Sequence, residues 1–489
     1  MAARLPLLHK TPFVLDARPL LEATSSHAGA LSISRAFRSL GLPGLIEANL
    51  QLRQRQRGFS EAQCLESLCV LQAIGGECVE DMGLLADDPC LERGLGYAPP
   101  KVTAARGFLE RFHDPALEKL RPARAQQKSF IFPASGPVAG LQEVQRGLVG
   151  RIARLYEKRG QALRIATVDQ DATIIESHKA AAYAHYQEGR GYQPMVAVWA
   201  EADLVLADEF RDGNVPAKQA PLTCAQLAFA ALPATVTQRQ FRGDSACHES
   251  ELIEWLRHPE REQEPGGRIG FAISAVMSAP LGQALRDVPP GDWKTFGQEE
   301  DGTLRQWAEV DFVPGDRSEQ KDRAPLRYVG LRLLKPQGEL FQDGTDRHFH
   351  AVLTNQLTLD GGRLLEWHRE KAGTIEHVHD EVKNELGGKH VPSQRFGVNA
   401  AWFKIGLLTY NLVSAIKGLC LEGEERTARL KRFRLLLIHL AGRMNRNNCV
   451  MGLRLCNNVA ALKRMQQVWQ VFELPTQATS AKALGRGGG

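Results

Sequence analysis

The chain has 489 residues, 43% of them hydrophobic, and a net charge of only +5, so there is room for about three domains with filled cores while overall charge specifies no partner. Nine cysteines form no CxxC pair, and most (Cys64, Cys69, Cys224, Cys420) sit in apolar helical context; this excludes a disulfide framework or zinc ribbon and fits buried thiols in a reducing compartment. No run of 18 apolar residues exists, and the start Met1-Ala-Ala-Arg-Leu-Pro6 lacks a signal-peptide core, which predicts a soluble cytoplasmic protein with no membrane partner.

Residues 1–25 read as extended and punctuated by proline. From 27 to 112 the pattern is helical: Ile33, Phe37 and Leu40 mark one segment, 45–57 a second and 60–74 a third. Ser60 and Gln63 have capping-box spacing. A short helix follows at 79–85, and Pro99-Pro100 opens another with proline in its first turn. Lys101, Thr103 and Arg106 lie exposed at that start. Such short helices fit a helix-turn-helix-like DNA reader or an ordinary helical bundle. Residues 126–140 read as a linker and 141–158 as a basic helix.

The stretch 164–173, Arg-Ile-Ala-Thr-Val-Asp-Gln-Asp-Ala-Thr, is a short buried strand by its β-branched content. Asp169 and Asp171 project from one face. Like charges there repel unless a cation or partner neutralises them. A divalent metal at an oxygen-rich site is one solution, and an aspartate capping a strand-to-loop turn is the other. A loop follows at 179–191, then a hairpin of 195–200 and 204–210 turning about 201–203, a helix at 222–232 and a strand at 236–241 ending in Arg242-Gly243-Asp244-Ser245. A helix at 248–257 and a strand at 269–274 complete a mixed α/β sheet with carboxylates at strand ends, where open sheets place their sites.

Residues 279–347 read as a β-rich insertion with strands at 306–312 and 326–334, after which the sheet resumes at 348–354 and a loop covers 355–363. Thr374 is the expected N-cap of the next helix, placing Glu376 in its first turn. Glu376, His379 and Lys383 then share one face, a pattern a solvated charged helix would also give. A strongly apolar helix spans 396–420. From Arg426 to Arg464 there are ten Lys or Arg and no Asp or Glu, which predicts a phosphate-binding surface within a helical basic region reaching 475. Arg429, Arg432 and Arg443 are its candidate DNA contacts. The tail 476–489 reads as disordered.

Val168-Asp169-Gln-Asp171-Ala-Thr173, Phe241-Arg242-Gly-Asp244-Ser245 and the Glu376 helix with Lys383 together resemble the catalytic segments of bacterial insertion-sequence DDE transposases, nearest to the insertion-sequence family thirteen-eighty. Gly191-Tyr192-Gln-Pro194, Asp212-Gly213-Asn214, Thr354-Asn355, Phe396-Gly-Val-Asn399-Ala-Ala-Trp402-Phe403 and Tyr410-Asn411-Leu412 are similar too, so the likeness runs over about 25–470. The resemblance implies a ribonuclease-H-like α/β core split by the insertion (141–278 and 348–395), a helical DNA-binding region at 1–125 and a C-terminal helical region at 396–475. It implies a metal-binding triad of Asp171 or Asp169, then Asp244, then Glu376. Related transposases place Tyr and Arg before the Glu and Lys seven residues after it. Here His368 and Lys371 stand in, with Lys371 five rather than four residues ahead of Glu376, and Lys383 keeps its spacing. These three are expected to contact DNA, Lys383 at a phosphate beside the scissile bond.

The cofactor so implied is Mg²⁺, with Mn²⁺ as a substitute, because hard cations prefer carboxylate oxygens. The partners are double-stranded DNA (terminal inverted repeats and target) bound by a homodimer at the bacterial nucleoid. The nearby histidines (His377, His379, His390, His248) lack zinc-ligand spacing. Two other functions fit the same residues: a transposase-derived DNA-binding protein without catalysis, and a ribonuclease-H-like nuclease without strand transfer.

Overall fold

Five strands make the centre of the sheet: β1 (Ile165–Ala172), β2 (Met195–Trp199), β3 (Leu204–Glu209), β4 (Gln238–Gly243) and β5 (Ile269–Ser274). β1 pairs antiparallel with β2 and β2 with β3, whereas β4 runs parallel to β1 and β5 parallel to β4. β1 is buried from Ala166 to Gln170 on both faces, as a central strand covered by helices on each side must be. The computed structural model describes residues 16, 22–53, 57–126, 128–264, 266–315, 326–447 and 450–474. The tail from 476 and most of the extended start at 1–25 lie outside the described residues.

The segment at 279–347 does not interrupt the sheet; it widens it. β6 (Lys294–Gln298), β7 (Leu304–Val310), β8 (Arg327–Leu334) and β9 (Arg347–Thr354) pair antiparallel in sequence, and β9 joins β5. The nine strands run β6-β7-β8-β9-β5-β4-β1-β2-β3. This large mixed sheet fits the ribonuclease-H-like core expected. The helix Ala279–Asp287 inside the segment escapes a reading based on strands alone. Its start is ordinary, with Ser278 accepting from the Leu281 N–H and proline in the first turn.

Six helices position the site: α1 (Glu61–Ile74), α2 (Gly136–Lys158), α3 (Pro221–Ala231), α4 (Gly361–Arg369), α5 (Lys371–Glu385) and α6 (Phe396–Cys420). The Ser60–Gln63 capping box forms at α1 in both directions. The helix after Pro99-Pro100 begins at Val102, so the prolines precede its first turn. α2 starts at Gly136 under a Ser135 cap, five residues earlier than its apolar pattern predicts. In α6 every residue except Gly418 is buried. It is anchored to β3 by Asn411, whose amide accepts from the Val205 N–H at 2.7 Å and donates to the Val205 carbonyl at 2.8 Å. It is tied to α1 by Thr409, which donates to the Gln72 side chain at 3.0 Å. The main apolar core draws on residues from Ala30 to Phe472, so the N-terminal helices pack against the end of the chain rather than standing apart.

Two expectations are corrected. Thr374 is not an N-cap: α4 begins at Gly361, capped by Asp360, and α5 begins at Lys371 with only Glu370 between them. Nor is the basic segment wholly helical. A hairpin of Gly442–Asn447 and Val450–Leu455 pairs with Thr24–Ser25. Leu453 and Leu455 alternate with Arg454, and Met444 sits opposite Leu453, which is strand periodicity. Among the described residues no helix is long and apolar enough to cross a membrane.

Candidate active site

β1 and β4 lie side by side with Asp169 opposite Arg242 and Gln170 opposite Gly243. The next residues are Asp171, the penultimate residue of β1 and still paired with Val196 of β2, and Asp244, the first residue beyond β4; neighbouring parallel strands stand about 4.8 Å apart. Asp244 caps the turn Ser245–Cys247 by accepting from the Ala246 N–H at 3.0 Å. Asp171 accepts from the Ala172 N–H at 2.8 Å and meets the Lys371 ammonium at 3.5 Å. Burial pushes the Asp171 carboxyl above the usual carboxylate value; Lys371 opposes that shift and the charge of Asp244 adds to it.

α5 supplies the facing wall. Glu376 is exposed on it and lines, with Asp244, Ser245, His368, Arg369 and Lys371, a groove of about 690 Å³ whose lining also includes Leu331, Leu333 and His350 of β8 and β9. His368 holds the strand end, because its Nε2 lies 3.0 Å from the Gly243 carbonyl, an acceptor only, and so donates to it. Burial lowers the His368 pKa, the Gly243 bond opposes this, and Lys371 and Arg242 lower it further. The one-residue shift of Lys371 relative to its expected spacing still brings its ammonium into the site, beside Asp171.

Asp169 has a different setting. It is fully buried, and its two oxygens accept from Arg242 Nε and Nη2 at 2.6 and 2.8 Å. The Thr374 hydroxyl also donates to it. The pairing of Arg242 and Thr374 with Asp169 is what sequence reasoning overlooked. The available signal was parity, since Arg242 precedes Asp244 by the same two residues that separate Asp169 from Asp171.

Lys383 is half-buried, and its ammonium reaches the Ile174 carbonyl, just beyond the end of β1, at 3.5 Å. Burial lowers its pKa. Asp380, its neighbour on the helix, is instead paired with Arg429 and bonded by Asn384. The basic segment is less uniform than its composition. Arg443 pairs with Glu22 and Arg464 with Glu425, and Arg434 is buried against Glu385 and the carbonyls of Gln72 and Ala73. Arg432 and Lys431 are exposed.

His379, one turn beyond Glu376, is buried, and its Nε2 has no hydrogen-bond partner among the described residues. Burial, then Lys383 and Lys371, lower its pKa from 6.5 to about 3. The unfolded chain thus binds a proton near 6.5 that the fold refuses, so stability is full above that pH and is lost as pH falls toward 3. Between pH 6.5 and 5 this one group removes about 2 kcal/mol. Denaturant melts at pH 7 and pH 5 should show His379→Gln losing that much less than wild type, and equal losses would exclude His379 as the acid-sensitive group.

The donor set of Asp171, Asp244 and Glu376 is all carboxylate oxygen, which suits Mg²⁺ or Mn²⁺ rather than zinc. Among the described residues no three His, Cys, Asp or Glu side chains stand close enough to hold a metal ion. The ammonium of Lys371 supplies the positive charge beside Asp171 instead. The residues fit a hard divalent cation in kind, with the third carboxylate carried on a separate element.

The family model described as "Transposase DDE domain group 1" matches residues 22–476. No curated protein matches the chain. A solved structure similar to it is the piggyBac transposase synaptic complex with hairpin DNA, at 10% sequence identity and a TM-score of 0.40, over 94% of this chain and 84% of that one.

Proposed function

The chain belongs to the family of group 1 transposase DDE domains, and from that premise we propose that it is the transposase of a bacterial insertion sequence, binding the element's ends and cutting and rejoining DNA through Asp171, Asp244 and Glu376. The observation that carries this reading is the pair of carboxylates at the ends of neighbouring parallel strands, with a third, Glu376, lining the same groove as Asp244. The proposed substrate is the duplex carrying the terminal inverted repeats, then target DNA, with the protein acting as a homodimer. Its relatives are proposed to be the insertion-sequence family thirteen-eighty.

Asp171, Asp244 and Glu376 would hold Mg²⁺, or Mn²⁺ in its place. When bound, such a cation would supply the Lewis acidity for activating an attacking water or 3′-OH and for stabilising the leaving oxygen. The protein's own groups do the positioning. His368 fixes the end of β4 by its bond to the Gly243 carbonyl. Lys371 meets Asp171 before DNA arrives and would turn to a phosphate once the site fills. Lys383 offers a point charge beside the end of β1, where a scissile-strand phosphate would pass. Asp169 is proposed as structural, because its oxygens are taken by Arg242 and Thr374.

The test is incubation of the full chain with Mg²⁺ and a duplex bearing the inverted repeats that flank its coding sequence. The expected result is nicking at the repeat ends followed by joining to a target plasmid. Nicking without joining would favour the nuclease reading, and binding with neither would favour the inert DNA-binding protein.

DNA binding by the basic segment is assigned to its exposed members. Of the three arginines singled out from composition, Arg429 and Arg443 are paired with Asp380 and Glu22, which leaves Arg432 with its neighbour Lys431. Changing both to Gln should reduce the slope of log affinity against log salt by about 0.9 for each phosphate that the two side chains neutralise in the wild type. A slope equal to wild type would leave them as solubilising surface.

A further inference from the structure

Side chains two apart on a strand share a face. Asp169 therefore lies one pleat beneath Asp171, Arg242 lies one pleat beneath Asp244, and the two face each other in register. Both are buried, Arg242 to 2% and Asp169 to 0% side-chain exposure. The guanidinium uses more of its planar fork than this pair requires. Nη1 donates to the Trp367 carbonyl at 2.5 Å and to Glu370 at 3.1 Å. Trp367 is in the last turn of α4, and Glu370 is the single residue between α4 and α5. From the other side Thr374, in the first turn of α5, donates its hydroxyl to Asp169 Oδ2 and sits 3.0 Å from the Lys371 carbonyl.

We infer that Arg242, Asp169 and Thr374 form a clamp that fixes α5, the helix carrying Glu376, to the two strands that carry Asp171 and Asp244. Asp169 is then a positioning residue and not a metal ligand. The buried ion pair joins the strands that carry Asp171 and Asp244, and through Arg242 it ties them to the helix junction just before Lys371, at the start of the helix that carries Glu376. Thr374 precedes Glu376 by two residues, about 3 Å of helix rise, so its hydroxyl contact fixes the backbone of the turn from which Glu376 projects. An ammonium could not replace the fork, because the bidentate bond to Asp169 and the bond to the Trp367 carbonyl require its fixed, divergent donors. Among the described residues no third carboxylate is already gathered at Asp171 and Asp244, so the placement of α5 decides whether the ligand set can close.

The inference rests on the reading of Glu376 as a metal-binding carboxylate, and the experiment separates the two. Changing Asp169 or Arg242 strands a buried charge and endangers the fold, so Thr374 is the residue to vary. Mn²⁺ binding to the full chain is followed by the loss of its free EPR signal, alongside a thermal melt. Thr374→Val keeps the shape and removes the hydroxyl; it should weaken Mn²⁺ binding by about tenfold or more, the usual cost of losing a group that orients a ligand, while still melting cooperatively. Thr374→Ser, which restores the hydroxyl, should restore the affinity. Glu376→Gln is the control and should weaken binding at least as much. Wild-type affinity in Thr374→Val with weak binding in Glu376→Gln would overturn the clamp alone, as would equal weakening in Thr374→Val and Thr374→Ser. Wild-type affinity in Glu376→Gln would overturn the assignment of Glu376 and the clamp with it.

Discussion

Asp244→Asn should reduce Mg²⁺-dependent cleavage of element ends by about 10³-fold or more and leave end binding unchanged. The asparagine amide oxygen can still accept from the Ala246 N–H, so the turn after β4 keeps its cap. What is lost is a charge that a divalent ion would use. Stabilisation of the transferring phosphoryl group by bound metal is worth several kcal/mol, and each 1.4 kcal/mol is about tenfold in rate. Single-turnover nicking and gel-shift affinity measured on the same preparation separate the two effects. Cleavage within about tenfold of wild type would remove Asp244 from the site.

The second large effect divides the two aspartates of β1. Asp169→Asn should cost about 3–5 kcal/mol of stability, because it leaves the buried Arg242 guanidinium facing a neutral partner. Asp171→Asn should melt no lower than wild type and lose cleavage. Burial and the repulsion of Asp244 hold the Asp171 carboxyl above its ordinary value despite Lys371, so at neutral pH the charged form is a burden on the fold that asparagine lifts. Urea melts and nicking assays on both variants decide the matter. An Asp169→Asn protein with wild-type stability and no cleavage would exchange the two roles.

The strands were legible where local pattern and tertiary setting agree. β1, β5 and α6 lie within a residue or so of their expected bounds, since a buried run bounded by polar turns has few other readings. Alternation also placed Asp169 and Asp171 on one face, but it could not separate them. Their roles diverge through Arg242, 73 residues away, and Thr374, 205 residues away, and no local signal carries that. The helix junction at Glu370 was missed for a related reason. Thr374 has the chemistry of an N-cap, yet its hydroxyl serves Asp169 across the core. Composition also counts charges without recording pairing, and Arg429, Arg443 and Arg464 each have an acidic partner.

The packing of α1 on α6 sets a timetable for making the protein. Gln72 meets Thr409 across 337 residues, and Arg35 bonds the Phe472 carbonyl across 437. Loops of that length close late, after shorter-range structure has formed. Leu65, Leu68, Val70 and Leu71 of α1 are buried in the finished fold, but their partner helix emerges only once those 337 residues have been translated. At 5–20 residues per second that interval is roughly 20–70 seconds, during which α1 presents an apolar surface that must be sheltered by a chaperone or by provisional contacts with α2.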